Sequence, residues 1–272
     1  MSESKRIFFK RLYFCCSNLQ QLRYFLELAY NGKNYFGYQI QPNQISVQEV
    51  IEDRLSKILR KEISIVGAGR TDSGVHAKKM FIHFDYEDEL SVDLIKKLNS
   101  FLPKDIAAYR LFLMDDEAHA RFDATSRSYN YFISPFKDPF AFDSAWIFNR
   151  ELDVEKMNEA AKLLIKQGDF GSFAKLHTDV KTNICDVREA FWRKNENGQL
   201  IFQITADRFL RNMVRAIVGT LVEVGLGRIS IHDFEEIIEQ KQRSSAGASA
   251  PAQGLYLVDV QYPKELFKNE FK

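Results

Sequence analysis

Residues 63–86 read ISIVGAGRTDSGVHAKKMFIHFDY, and the interpretation of this stretch decides the fold. ISIV at 63–66 is a short β-rich run. KMFIHFDY at 79–86 alternates, with Met80, Ile82, Phe84 and Tyr86 on one side and Phe81, His83 and Asp85 on the other, the period of a strand. Between the two lies GAGRTDSGVHA, 67–77, where three glycines open backbone angles closed to other residues and leave the flanking side chains exposed. Two familiar phosphate-binding loops are excluded. A dinucleotide fingerprint needs a third glycine where Asp72 stands and a helix afterwards, and the P-loop's Gly-Lys-Ser/Thr is absent. The plain alternative is a tight turn in which Asp72 caps backbone N–H groups. Arg70 and His76, expected to crowd the carboxylate, favour an ionised Asp72 available as a nucleophile.

Working outward, RYFLELAY at 23–30 predicts a strand, broken by Gly32, Gly37 and Pro42. Ser46 with Glu49 three residues on predicts a helix start, and Val47, Val50, Ile51, Leu55, Ile58 and Leu59 keep one apolar stripe. After the central stretch come a helix at 91–101, stopped by Pro103, and a strand at 106–114. The order is β-α-β-β-α-β. The second half repeats it: strand 127–134, a helix with Asp153 as N-cap and Gly168 as its stop, then strands 184–193 and 199–206 joined at Asn195–Gly198. A long apolar helix at 209–224, a shorter one opened by Ser230 and Asp233, and a strand at 254–262 complete it. The fold class expected is α+β: two ferredoxin-like halves joined through a central, mostly antiparallel sheet with helices packed on it. The domains are an extension at 1–20, an N-terminal half at 21–117 and a C-terminal half at 118–272. SSAGASAPAQG at 244–254 reads as a mobile loop.

Composition narrows the function. The 272 residues are 45% hydrophobic with 13 Gly and 6 Pro, which suits a folded core and excludes a collagenous or broadly disordered chain. No apolar run approaches a membrane span, and Lys10 and Arg11 interrupt IFFKRLYFCC before it could serve as a signal-peptide core, so no membrane and a cytoplasmic location are expected. Cys15, Cys16 and Cys185 lack the spacing of a disulfide framework or zinc site, and His76, His83 and His119 show no metal-ligand spacing. No metal is expected. With 38 basic and 37 acidic residues, net charge +1, any polyanion must meet segregated charge. Arg60, Lys61, Arg70, Lys78 and Lys79 gather in 60–79, whereas 85–93 is acidic. Arg208, Arg211 and Arg215, at i, i+3 and i+7, are expected to form one basic stripe, whose plain reading is a solvated helix face. Arg215, on the edge of an otherwise apolar helix, is well placed to pair with a buried carboxylate such as Asp72.

GAGRTDSGVHA resembles the catalytic loop of the TruA family of tRNA pseudouridine synthases. AHARFDATSRSYNY (118–131), FLRNMVRAIVGTLVEVG (209–225) and PAQGLYLVDVQYP (251–263) resemble further motifs in the family's order, so the likeness spans roughly 22–263. The resemblance implies a pseudouridine synthase fold and a cofactor-free isomerase acting on uridines thirty-eight to forty of the tRNA anticodon arm, as a homodimer. Asp72 falls on the family's nucleophile, Arg70 on the arginine before it, Tyr129 on its active-site tyrosine, Arg215 on the arginine of MVR and Leu255 on the leucine of GLYL, at the border of the uracil pocket. Arg70, Arg208 and Arg211 are expected to contact RNA. Two rivals stand beside this reading: a catalytically silent tRNA-binding or RNA-folding module on the same scaffold, and a hydrolase pairing Asp72 with His76.

Overall fold

A computed structural model describes residues 21–175 and 182–271. The expected extension at 1–20, with Cys15 and Cys16, lies outside the described residues. The first half runs β1 (Leu22–Tyr30), α1 (Val47–Leu59), β2 (Val66–Gly67), β3 (His76–Tyr86), α2 (Asp93–Phe101) and β4 (Ile106–Met114). The second runs β5 (Ser126–Ser134), β6 (Trp146–Ile147), α3 (Val154–Lys162), β7 (Gln167–Asp169), β8 (Ile184–Lys194), β9 (Leu200–Ala206), α4 (Met213–Gly225), α5 (Ile231–Gln240) and β10 (Leu255–Gln261). A last strand, β11 (Phe267–Phe271), was not foreseen and pairs with β4 at one edge of the sheet.

All the strands belong to one sheet, ordered β11-β4-β1-β3-β10-β5-β9-β8-β7 along its main path, with β2 on β3 and β6 on β5. Within it each half keeps the same internal order. In the first, the fourth strand of the βαββαβ unit lies beside the first, then the third, with the second outermost (β4-β1-β3-β2), and in the second the order β10-β5-β9-β8 is identical. The fold is therefore two α+β ferredoxin-like units fused edge to edge. The seam is a short parallel pairing, Tyr256↔His76 and Leu257↔Ala77, inside an otherwise mostly antiparallel sheet. One core forms around Tyr24, Leu26, Leu55, Phe84 and Leu98, the other around Tyr131, Phe202, Ile217, Leu221 and Phe234. Each such side chain contributes about 1.5–3 kcal/mol by burial. Capping residues act where expected: Ser46 Oγ accepts the Glu49 N–H at 3.2 Å, and Ser230 and Asp233 form a reciprocal capping box.

Four expectations are corrected. ISIV is not a strand over 63–66. The Ile63 and Ile65 N–H groups donate to Ser56 Oγ and Glu52 Oε1, both at 2.9 Å, so α1 side chains take the bonds a ladder would have used. Helix α3 stops at Lys162, and Gly168 instead pairs with Cys185 in the β7–β8 ladder. Helix α4 starts at Met213 rather than 209, because Asn212 adopts a left-handed φ of 68° that breaks the helix on its N-terminal side. The 244–254 segment is tied down. Gly247 N–H donates to Thr220 Oγ1 at 3.0 Å, Ala250 N–H to the Arg215 carbonyl at 2.9 Å, and Asn212 Nδ2 to Ser249 Oγ at 2.7 Å. Its small residues let it lie against α4, so closely that a Cβ at Gly219 would stand 1.8 Å from the Ala248 oxygen.

Candidate active site

Residues 68–75 leave β2 just where β3 exchanges one neighbour for another. The edge of β3 facing away from β1 is shared: β2 takes Ile82 and His83, and β10 takes His76 and Ala77. The loop between must fold over the seam, and it is held from several directions. Thr71 Oγ1 shares a 2.8 Å hydrogen bond with the buried Tyr30 hydroxyl, and the Thr71 carbonyl accepts the Tyr38 N–H at 3.1 Å. The Tyr35 carbonyl accepts the Gly74 N–H and the Ser73 hydroxyl at 3.4 and 3.3 Å. Val75 N–H closes back on the Asp72 carbonyl at 3.1 Å. Of the loop's glycines only Gly74 needs a positive φ, 77°.

This scaffold turns the Asp72 side chain toward the second half. Arg215 Nη1 lies 3.5 Å from Asp72 Oδ2, and Arg211 Nε lies 3.8 Å from Asp72 Oδ1. The Asp72 and Arg215 side chains are 25% and 21% exposed, enough for a ligand to reach and little enough to weaken solvent screening. Arg215 is itself fixed, since its Nε donates to the Ala250 carbonyl at 2.7 Å while its backbone carbonyl accepts the Ala250 N–H. Arg211 is more open, at 56%.

Arg215 thus pairs with Asp72 as expected, whereas Arg70 and His76, expected to crowd the carboxylate, do not. Arg70 is exposed and forms no ion pair among the described residues. His76 is buried, with Nδ1 accepting the Gly32 N–H and Nε2 meeting the Gln253 carbonyl, both at 3.1 Å, and its ring stacks on Tyr256 at 4.5 Å. Burial lowers its pKa, and both ring nitrogens are engaged, so it pins the loop to β10 instead of partnering the carboxylate. The expected stripe also divides: with α4 starting at Met213, Arg208 lies outside the helix, and its field reaches Arg121.

Tyr129 projects from β5, opposite Leu257, with its ring edge-on to Phe209 at 5.1 Å. Burial pushes its phenol up to about 12; Arg127 opposes the shift and the charge of Asp72 adds to it. The hydroxyl is therefore neutral at physiological pH, beside a carboxylate it can feel. Leu255 is 6% exposed, opposite Tyr131, which donates to the Pro251 carbonyl at 2.7 Å.

Some residues that brace the site carry little signal in the sequence. Arg127 Nη1 donates to the carbonyls of Ala124 and Asp207 at 2.9 and 2.7 Å, and Nη2 to those of Ala68, at 3.0 Å, and Arg121. One guanidinium thus ties together the Asp72 loop, the approach to α4 and the 118–125 segment. Its position two residues before Tyr129 was the only signal, and four carbonyl partners carry none. Tyr30 grips the loop through its hydroxyl, and Tyr35 and Tyr38 hold residues 71–74 through their backbone groups, contacts that no sequence pattern announces. Among the described residues no cluster of three His, Cys, Asp or Glu could hold a metal ion.

A carboxylate faced by two guanidinium groups lies at the seam of two ferredoxin-like units, its charge felt by a neutral tyrosine, and this is the arrangement of a candidate active site. A profile of the tRNA pseudouridine synthase family matches residues 28–123 and 160–263. The chain is 54% identical over 248 residues to tRNA pseudouridine synthase A of Bacteroides fragilis, covering 90% of this chain and 98% of that protein. It is 55% identical over 250 residues to the protein of the same name from Parabacteroides distasonis (91% and 99%), and 40% identical over 242 residues to that of Bacillus subtilis (86% and 97%). The chain belongs to the tRNA pseudouridine synthase family.

Proposed function

We propose that this chain isomerises uridine to pseudouridine in the anticodon arm of tRNA, at positions thirty-eight to forty, with Asp72 as the nucleophile. The supporting observation is the Asp72 carboxylate facing Arg215 and Arg211 at the seam. The reaction breaks the C1′–N1 bond and forms C1′–C5, while the C5 proton leaves to solvent and N1 gains one. It changes no oxidation state and adds no atom, so side chains suffice. Attack at C1′, attack at uracil C6 and proton removal toward a glycal all start from the same carboxylate.

Each neighbour has a role. Tyr129 offers a neutral ring for the extruded uracil, and Leu255 closes the pocket's apolar border. Arg215 holds the carboxylate in register. Confinement keeps the freed base near C1′ so that recombination outruns escape. Arg70, Arg208 and Arg211 supply cationic contacts to the RNA backbone. A chain of net charge +1 that sets Arg211 and Arg215 at the seam suits a homodimer gripping one tRNA in the cytoplasm; no helix among the described residues is long and apolar enough to cross a membrane.

The test is tritium release from tRNA labelled at uracil C5. The proposal predicts release by the purified chain with no added cofactor. Tight tRNA binding with no release would instead support the silent-module alternative.

A further inference from the structure

The segment just before Arg127 carries an aromatic ring that the chemistry at Asp72 does not use. Phe122 is 75% exposed. Single exposed phenylalanines are ordinary, but this one is held in place. The His119 ring lies 4.2 Å from it, inclined by 30°, and His119 Nδ1 accepts the N–H groups of Arg121 and Phe122 at 3.1 and 3.3 Å. His119 is braced in turn: its N–H donates to Asp123 Oδ2 at 2.7 Å, and its ring meets His83 edge-on at 4.7 Å. Ala120 N–H donates to His83 Nδ1 at 3.0 Å, and the Tyr262 hydroxyl donates to the Ala120 carbonyl at 2.6 Å. A loop tip with both its backbone and one ring so anchored loses little entropy when a second ring stacks on it.

Its surroundings are cationic and close to the site. The Arg121 guanidinium stands 5.8 Å from the centre of the Phe122 ring. Arg70 and Arg208 are near enough that, with burial, they lower the Arg121 pKa, and none of the three has an ion-pair partner among the described residues. Because Arg127 Nη2 bonds the carbonyls of both Ala68 and Arg121, this segment touches the nucleophile loop itself. An exposed aromatic ring with an unpaired guanidinium over it, and further cations close to that guanidinium, is an arrangement suited to single-stranded nucleic acid: bases stack and phosphates pair.

We propose that Phe122 is a stacking platform for an unpaired nucleobase of the substrate RNA, distinct from the uridine held at Tyr129, with Arg121, Arg70 and Arg208 engaging the adjoining phosphates. The inference rests on the tRNA-isomerase reading above. The test compares wild type with Phe122→Ala and Phe122→Tyr on tRNA tritiated at uracil C5, with thermal unfolding measured alongside. Phe122→Ala should raise KM about tenfold to a hundredfold, leave kcat within about twofold and keep the wild-type unfolding midpoint. Phe122→Tyr, which retains the ring, should restore KM. An alanine variant with wild-type KM, or one impaired in kcat alone, overturns the stacking role while leaving the isomerase reading intact. A wild-type chain that releases no tritium removes both.

Discussion

The molecule contains the same hairpin twice, and only one copy carries the candidate active site. In each βαββαβ unit the second and third strands are joined directly, β2 to β3 in the first half and β8 to β9 in the second. The β8–β9 connection is a tight turn at Asn195–Gly198, with Asn195 Oδ1 accepting the Gln199 N–H at 2.9 Å. The β2–β3 connection is the Asp72 loop. The difference follows from sheet assembly. Strand β8 spans Ile184–Lys194, whereas β2 is only Val66–Gly67, because the edge it would have occupied is ceded to β10. Fusing two units shortens one hairpin arm, and the freed backbone folds over the seam, where α4 of the other unit can reach it. The site is a consequence of the fusion, and neither half contains it alone.

Mutations on the two hairpins should therefore diverge. After the carboxylate itself, the largest effect expected is at Arg215, which crosses the seam: Arg215→Met, read as kcat in the tritium assay, should lose about a hundredfold to a thousandfold, with folding retained. Next is the clamp. Arg127→Met leaves the carbonyls of Ala68, Asp207 and Ala124 without their charged donor and should destabilise the chain by about 3 kcal/mol in urea unfolding, lowering activity as the loop loosens. A loss confined to activity would mean that the clamp is not what holds the seam.

A comparable effect depends on pH. Burial first, then the charges of Arg23 and His119, push the His83 imidazole down to about 4 from an ordinary 6.5, against the opposing pull of Asp85 and Asp123. The unfolded chain gains this proton near 6.5 and the folded chain only near 4, so His83 contributes its full stability above 6.5. That contribution is lost as the pH falls toward 4. Wild type should lose about 3 kcal/mol over this interval from this group, and His83→Gln should flatten the slope; parallel curves for the two proteins would contradict the assignment. The smallest effect belongs to the quiet hairpin. Gly198 sits at φ 78°, so Gly198→Ala should cost about 1 kcal/mol with tritium release unchanged.

The sequence revealed the alternation of β3, the caps at Ser46 and Ser230 and the apolar face of α4, since each is written in local periodicity. It also displayed Asp72, because three glycines around a carboxylate have few uses. It marked Arg215 as a partner for Asp72, but it could not reveal that Arg211, rather than Arg70 and His76, joins it there. That depends on Asn212 turning the chain through a left-handed angle and on β10 pairing with β3 across a long sequence separation. Nor could it show that 244–254 is anchored, since small residues signal freedom in a linker and close approach against a helix alike. The partners of Arg127 are backbone carbonyls, which every residue possesses.

The central claim is that one carboxylate at the seam forms the bond that starts the isomerisation. Asp72→Asn preserves the shape of the side chain and removes its charge, so the decisive measurement is tritium release from uracil-C5-labelled tRNA by this variant, with tRNA affinity measured in the same buffer. The account predicts tRNA bound with near wild-type affinity and no detectable release. Release at the wild-type rate would contradict it.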